Sequence, residues 1–110
     1  MAYQIEGREI AHDFEGYLTR MADWSRDLAA EIARADGVAL TPAHWEIIDF
    51  VRAYYDEYLI APSIRPLTKA ISKALGPEKA ALTYLDTLFP GGPAKQATKF
   101  AGLPKPTGCA

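Results

Sequence analysis

The chain has 110 residues, of which 49% are hydrophobic and 24% are charged, and its formal net charge is −2. This length fits one domain that can bury a single modest core. No apolar run approaches the ~18 residues of a membrane span, and the first residues, with Glu6, Arg8 and Glu9, lack the apolar core of a signal peptide. We therefore expect a cytoplasmic protein that has no contact with a membrane.

The charges are unevenly distributed along the chain. Residues 1–60 contain 5 arginines and 12 carboxylates, for a net charge of −7, whereas residues 61–110 contain 7 basic and 2 acidic side chains, for a net charge of +5. Two interpretations of the basic second half are open. It consists of ordinary solvated helical faces, or it creates a field that favours anionic partners and thiolates.

The first predicted element is a β-hairpin over residues 3–13, with its turn at Glu6-Gly7-Arg8. A connecting loop follows at residues 14–18. The next segment, Ser25 to Ala35, has the apolar spacing of a helix, and Gly37 is a natural C-terminal stop. The face predicted to be apolar carries Leu28, Ile32 and Ala35.

The longest predicted helix begins at Thr41-Pro42, because threonine is a good N-cap and proline suits the first helical position. It should end near residues 58–60, before Pro62. Its apolar stripe predicts a core face made of Trp45, Ile48, Val51, Tyr55 and Tyr58. We interpret His44 as a surface or core histidine and not as a catalytic base.

Three more helices are predicted, over residues 63–75, 78–88 and 94–101. Gly76-Pro77 separates the first two, and the turn at residues 89–93 separates the last two. In the first of them, capped by Ser63, the predicted inward residues are Ile64, Leu67, Ile71 and Leu75, and the basic face carries Arg65, Lys69 and Lys73.

These elements predict a mainly α (α+β) fold. It is a small orthogonal helical bundle of about five helices with an N-terminal β-hairpin. Residues 1–101 form the domain, and residues 102–110 form a flexible C-terminal arm. The helices on either side of residues 58–63 could be a DNA-binding helix-turn-helix or an ordinary pair in a bundle.

Cys109, the one cysteine, lies near the end of the predicted arm. One thiol excludes an internal disulfide, a CxxC pair and a multi-cysteine metal site, and with two histidines we expect neither a metal nor a cofactor. Pro104 and Pro106 favour extended backbone, so the eight residues from Gly102 to Cys109 can reach roughly 25 Å. The thiol is either a reactive group carried into another protein's active site or an accidental exposed cysteine.

The reactivity of this thiol depends on its ionisation. A free cysteine has a pKa near ~8.5, which Lys99 and Lys105 would lower and the terminal carboxylate of Ala110 would raise. We expect the thiol to become nucleophilic mainly inside a partner's pocket. No second catalytic group accompanies Cys109 in the sequence. A carrier therefore fits the sequence better than a stand-alone enzyme, and whether the chain counts as an enzyme is left open.

The C-terminal region resembles the TusE/DsrC family. The resemblance lies in the run LFPGGPAKQATK, residues 88–99, followed by AGLPKP, residues 101–106, and the penultimate Cys109. Trp24, residues 40–58 with His44-Trp45-Glu46, and residues 62–66 also fit, so the likeness spans nearly the whole chain. It implies a helical bundle with an N-terminal hairpin and a mobile arm, and it identifies Cys109 as the sulfur-bearing residue.

Thr98 stands where the DsrC branch of this family has a second cysteine, with which it forms an internal disulfide or trisulfide. The resemblance therefore favours the TusE branch. It implies that Cys109 accepts a persulfide from a TusBCD-like complex. The sulfur would pass to an MnmA-like thiouridylase bound to tRNA, for wobble 2-thiouridine synthesis.

Four basic residues are candidates for docking a partner or stabilising the anionic persulfide, with solvated surface charge as the alternative: Arg65, Lys95, Lys99 and Lys105. The runner-up function is a single-cysteine DsrC-like protein that works with DsrAB sulfite reductase or sulfur-oxidation enzymes. The residues Gly91-Gly92 and Thr107-Gly108 resemble those of DsrC and keep that interpretation open. A DNA-binding regulator is the third candidate function, and the net negative charge of the chain argues against it.

Overall fold

The computed structural model describes residues 1–106 of the chain. Its first element is an antiparallel hairpin of β1 (Ala2–Ile5) and β2 (Arg8–Ala11). The turn residues Glu6 and Gly7 both have positive φ, 49° and 76°, which matches the twist of a two-residue hairpin loop. The predicted hairpin is confirmed.

Six α-helices follow the hairpin within the described residues. A single 3-10 turn at Met21–Asp23 precedes the first of them, and the six are α1 (Arg26–Ala35), α2 (Pro42–Tyr58), α3 (Ile64–Leu75), α4 (Pro77–Ala80), α5 (Leu82–Leu88) and α6 (Pro93–Phe100). The predicted mainly α fold with an N-terminal hairpin is therefore confirmed. None of these helices has the length and apolar character needed to cross a membrane.

The predicted helix over residues 78–88 is two helices in the structure. Ala81, between α4 and α5, has extended backbone with φ −63° and ψ 133°, and this interrupts the helical hydrogen bonding. The bundle consequently has one more helix than the sequence pattern indicated.

The apolar face of α2 also differs from the prediction. Ile47, Ile48 and Val51 are fully buried, whereas Tyr58 is 56% exposed. The helix ends at Tyr58, and the next residue, Leu59, takes a left-handed conformation with φ 60°. The prediction that Tyr58 belongs to the core is wrong, because the last turn of α2 extends past the helices that cover its middle.

His44 is a core residue that joins two helices. Its Nδ1 accepts a hydrogen bond from the Thr41 backbone N–H at 3.1 Å. The proton therefore lies on Nε2, which donates to the carbonyl oxygen of Leu88 at 2.7 Å. The side chain is 6% exposed. His44 thus caps the start of α2 and ties it to the last residue of α5, which agrees with its interpretation as a structural histidine.

Helix α6 lies at the centre of the bundle and packs against α1, α2, α3 and α5. Most of its residues are buried: Pro93, Ala94, Gln96, Ala97, Thr98 and Phe100. Small alanines let the neighbouring helices approach closely, and the Phe100 ring packs 5.9 Å from the ring of Phe89. The core therefore closes around the element that leads directly into the C-terminal tail.

We predict that His44→Ala lowers the free energy of unfolding by about 2–4 kcal/mol, because it leaves the buried Leu88 carbonyl and the Thr41 N–H without partners. Urea denaturation measures the change. Glu57→Ala, at an exposed position of the same helix, is the control and should stay within about 0.5 kcal/mol of wild type. Equal stabilities for the two variants would contradict this role of His44.

Candidate functional site

Helix α6 ends in a tight turn that fixes the start of the C-terminal tail. The Leu103 N–H donates to the Thr98 carbonyl at 3.0 Å, and the Gly102 N–H donates to the Lys99 carbonyl at 3.1 Å. Gly102 has a φ of +72°. This pair of hydrogen bonds around a left-handed glycine is a Schellman motif. Leu103 is 2% exposed, so the tail is packed against the body at least as far as this residue.

Two side chains from other elements pair the remaining carbonyls at this end of α6. Trp24 Nε1 donates to the Phe100 carbonyl at 2.8 Å, and Arg52 Nη1 donates to the Ala101 carbonyl at 2.6 Å. The Arg52 guanidinium carbon lies 3.8 Å from the centre of the Trp24 ring, which is a cation–π contact. We call Trp24 and Arg52, with the two carbonyls they hold, the root clamp.

The root clamp leaves no space around Gly102. A Cβ built on Gly102 would lie 2.3 Å from Cδ1 of Trp24, closer than any non-bonded contact. Glycine is therefore required both by the positive φ and by the indole that covers the turn.

Lys105 is held in a small acidic and aromatic pocket formed by the loop after β2. Its ammonium pairs with the carboxylate of Glu15 and lies 3.6 Å from Oδ2 of Asp13. The rings of Phe14 and Tyr17 lie 5.3 and 5.7 Å from the same nitrogen. The hydrogen bond to Glu15 raises the pKa of Lys105. Because the pair is exposed to solvent, salt weakens it.

Asp13 also organises this loop. Its carboxylate accepts hydrogen bonds from the backbone N–H groups of Glu15 and Tyr17, at 2.9 and 3.1 Å. Burial alone would raise the pKa of Asp13, but these two N–H groups and the Lys105 ammonium outweigh it and hold the pKa below its ordinary value. The loop is thus pre-formed to receive the Lys105 ammonium.

The other candidate cations differ in their surroundings. Lys99 Nζ lies 2.5 Å from Oδ2 of Asp36, so its charge is compensated. Lys95, in the first turn of α6, and Arg65, in the first turn of α3, are exposed and make no ion pair with a residue in the range 1–106. The structure therefore brings Lys99 and Lys105 together beside Glu15, and no described contact joins Arg65 to them.

Three of the six lysines in the second half pair with carboxylates of the first half. Besides the pairs of Lys99 and Lys105, Lys79 Nζ lies 2.7 Å from Oε1 of Glu46. The uneven charge of the sequence is thus partly a means of joining the two halves. Among the described residues it leaves Arg65, Lys69, Lys73 and Lys95 as basic side chains on the surface.

Thr98, at the position where the resemblance implied a second cysteine in one branch of the family, lies inside α6. Thr98 is fully buried, and its hydroxyl donates to the carbonyls of Ala94 and Lys95, at 2.7 and 3.1 Å. Cys109, the predicted sulfur-bearing residue, lies outside the described residues. Its role stays a prediction.

Sequence reasoning missed the root clamp. The spacing of Gly102 after a predicted helix is a signal for the Schellman turn, and it could have been used. No local pattern indicates that Trp24 and Arg52 meet, because each side chain pairs with a carbonyl far along the chain.

Comparison with known proteins supports the family resemblance and the fold. A family model described as "DsrC like protein" matches residues 4–110. A curated relative, "Sulfurtransferase TusE" of Sodalis glossinidius, is 55% identical over 106 residues, which is 96% of this chain and 98% of the relative. The protein of the same name from Escherichia coli (strain K12) is 53% identical over 105 residues, which is 96% of each chain.

Solved structures show the same fold. The NMR structure of Allochromatium vinosum DsrC has a TM-score of 0.88 at 53% identity and covers 99% of this chain and 97% of its own. The oxidized γ-subunit of the dissimilatory sulfite reductase (DsrC) from Archaeoglobus fulgidus has a TM-score of 0.84 at 36% identity, with 100% of both chains covered. The family resemblance is confirmed, and the chain belongs to the family of DsrC-like proteins.

Proposed function

We propose that this protein is a sulfur carrier that accepts a persulfide on Cys109 and passes the sulfur on in the relay for tRNA wobble 2-thiouridine synthesis. The observation that carries this proposal is the similarity to sulfurtransferases named TusE along 96% of the chain. Because the sequence has one cysteine, any thiol-based sulfur transfer has to use Cys109.

The chemistry consists of two thiolate attacks. The Cys109 thiolate attacks the outer sulfur of a donor persulfide, R–S–SH. A new S–S bond forms on Cys109, the donor S–S bond breaks, and R–S⁻ leaves as a thiolate. An acceptor thiolate then attacks the outer sulfur of the Cys109 persulfide, which returns Cys109 to a thiolate. Each step is an exchange of the thiol–disulfide type, with no cofactor and no net change in charge.

Residue 98 supports a carrier that works with one thiol. A threonine cannot close a bond with Cys109, and its buried hydroxyl is already committed to two carbonyls of α6. Sulfur bound at Cys109 therefore has to leave to another molecule, as a relay requires. The partners in this proposal are a TusBCD-like donor complex and an MnmA-like thiouridylase with its tRNA, which place the reaction in the cytoplasm.

The basic candidates divide into two groups in this proposal. Arg65 and Lys95 make no ion pair with a described residue, which suits them to docking a partner or to approaching an anionic persulfide. Lys99 and Lys105 are held by Asp36 and by the loop carboxylates, so they act on a persulfide only after leaving these partners. We place the start of the working arm after Leu103, within the segment 102–110 expected from the sequence.

A single-cysteine protein that serves DsrAB sulfite reductase or sulfur oxidation is the second candidate. It is favoured by the likeness to solved structures of the sulfite reductase system, including dissimilatory sulfite reductase I at 37% identity and a TM-score of 0.81. Affinity purification from the native organism separates the two functions. Recovery of sulfite reductase without a thiouridylase would overturn the first proposal in favour of the second.

We predict that incubation with a persulfide donor adds the mass of one sulfur atom to the wild-type protein and nothing to Cys109→Ser. Intact-protein mass spectrometry measures the adduct, and its loss on treatment with dithiothreitol identifies a persulfide. Thr98→Ser is a control that removes one methyl group and keeps Cys109, and it should be loaded like wild type. An adduct that persists in Cys109→Ser would contradict the proposal.

We predict that the thiol of Cys109 in the free protein has the pKa of an ordinary cysteine. The physical reason is that carboxylates already compensate the charges of Lys99 and Lys105. The rate of alkylation by iodoacetamide against pH gives this value, and the same titration in complex with the acceptor should give a lower one. A thiolate that is already fully formed at neutral pH in the free protein would contradict this prediction.

A further inference from the structure

We infer that Trp24 and Arg52 are positioning residues for sulfur transfer, because they fix the backbone from which the cysteine-bearing tail starts. This inference rests on the proposed carrier function. It concerns two residues that do not carry sulfur and for which the sequence pattern indicated no role in sulfur transfer. Their effect is exerted through the carbonyls of Phe100 and Ala101.

The clamp fixes direction as well as position. The last carbonyls of a helix have no partner within the helix, and at an open helix end water serves them. Here an indole N–H and a guanidinium N–H, from two separate elements, hold two successive carbonyls. Two donors at different points prevent the peptide planes from rotating, and the indole also blocks movement of Gly102. The backbone at residues 100–102, from which the tail starts, is therefore held in one orientation.

The hydrogen bonds of the clamp can be removed while an apolar side chain still packs at each position. Arg52 is half-buried, and the fully buried contacts of α2 come from Ile47, Ile48 and Val51 on its other positions. Trp24 is also half-buried, lies before α1 and packs against the core. Trp24→Phe and Arg52→Met therefore keep an apolar side chain at each position and each remove one hydrogen bond at the tail's root.

The position of the root sets the length of the tether. Six residues lead from Leu103 to Cys109, so the thiol acts within about 20 Å of the root. If the clamp is lost and the turn at residues 101–103 opens, the tether gains about three residues. The effective concentration of a tethered group falls roughly as the −3/2 power of tether length, so we expect about a twofold or larger loss of transfer rate.

The chain contains a matched control for this pair. Arg26 lies over the ring of Trp45 at 4.0 Å and pairs with Asp49 at 3.0 Å. It is the same arginine–tryptophan stack, it joins α1 to α2, and neither side chain donates to a residue of the tail's root. Substitutions in this pair also remove an arginine–tryptophan contact, but at a site away from the start of the tail.

The experiment compares Trp24→Phe and Arg52→Met with Trp45→Phe and Arg26→Met. Each protein is loaded with one sulfur, and transfer is followed to a thiouridylase–tRNA acceptor and, separately, to dithiothreitol. The clamp variants should lower kcat for the macromolecular acceptor by about twofold or more, with KM and the dithiothreitol rate unchanged. The control variants should match wild type in all three quantities.

A structural readout accompanies the kinetics. Amide hydrogen exchange at Gly102 and Leu103, measured by NMR, should be about tenfold or more faster in the clamp variants, because their N–H groups close the turn that the clamp supports. Arg52→Lys, which keeps the positive charge and loses the planar fork, should fall between Arg52→Met and wild type.

The possible results are distinct. Unchanged kcat in clamp variants whose exchange at Leu103 is faster would overturn the inference, and so would a fall in kcat that the dithiothreitol rate shares. An equal fall in the control variants would also overturn it. Failure of the wild-type protein to load from any donor would overturn the carrier function itself, and that result does not depend on the clamp.

Discussion

A helix that is buried in a protein must find donors for the carbonyl groups at its C-terminal end, and this requirement shapes the region around α6. Leaving one such carbonyl unpaired costs about 1–3 kcal/mol. The carbonyls of Thr98 and Lys99 are paired by the Schellman turn, and those of Phe100 and Ala101 by Trp24 and Arg52. Satisfying this one helix end therefore brings together the segment before α1, the middle of α2 and the first residues of the tail.

Local signals in the sequence account for most of the elements. Pro42, Gly37 and Pro77 mark helix boundaries through backbone constraints that act within one turn, and the hairpin turn needs the conformational freedom of Gly7. Where the prediction failed, the cause was not local. Ala81 interrupts a segment whose residues all tolerate helix, and Tyr58 follows the apolar spacing of α2 beyond the point where other helices cover it.

The candidate site also has features that local sequence predicts and features that depend on long-range contacts. Cys109 is identifiable from the sequence because it is the one thiol and because it ends a recognisable motif. The ion pairs of Lys99 and Lys105 were not predictable, since they join residues far apart in the chain. They change the interpretation of the basic half. Part of its charge holds the tail's root and α6 against the acidic half, and the remainder, on α3 and at Lys95, is exposed to solvent.

The contacts that close the core also determine when the chain can fold during its synthesis. His44 pairs with Leu88, Tyr17 with Lys95 and Trp24 with Phe100, so the N-terminal half lacks its partners until the ribosome has produced α6. A nascent chain stopped before that point exposes its apolar faces and is a substrate for chaperones and proteases. Cellular quality control thus favours molecules in which the tail's root is complete. A chain that has folded has therefore already been synthesised through the segment that leads to Cys109.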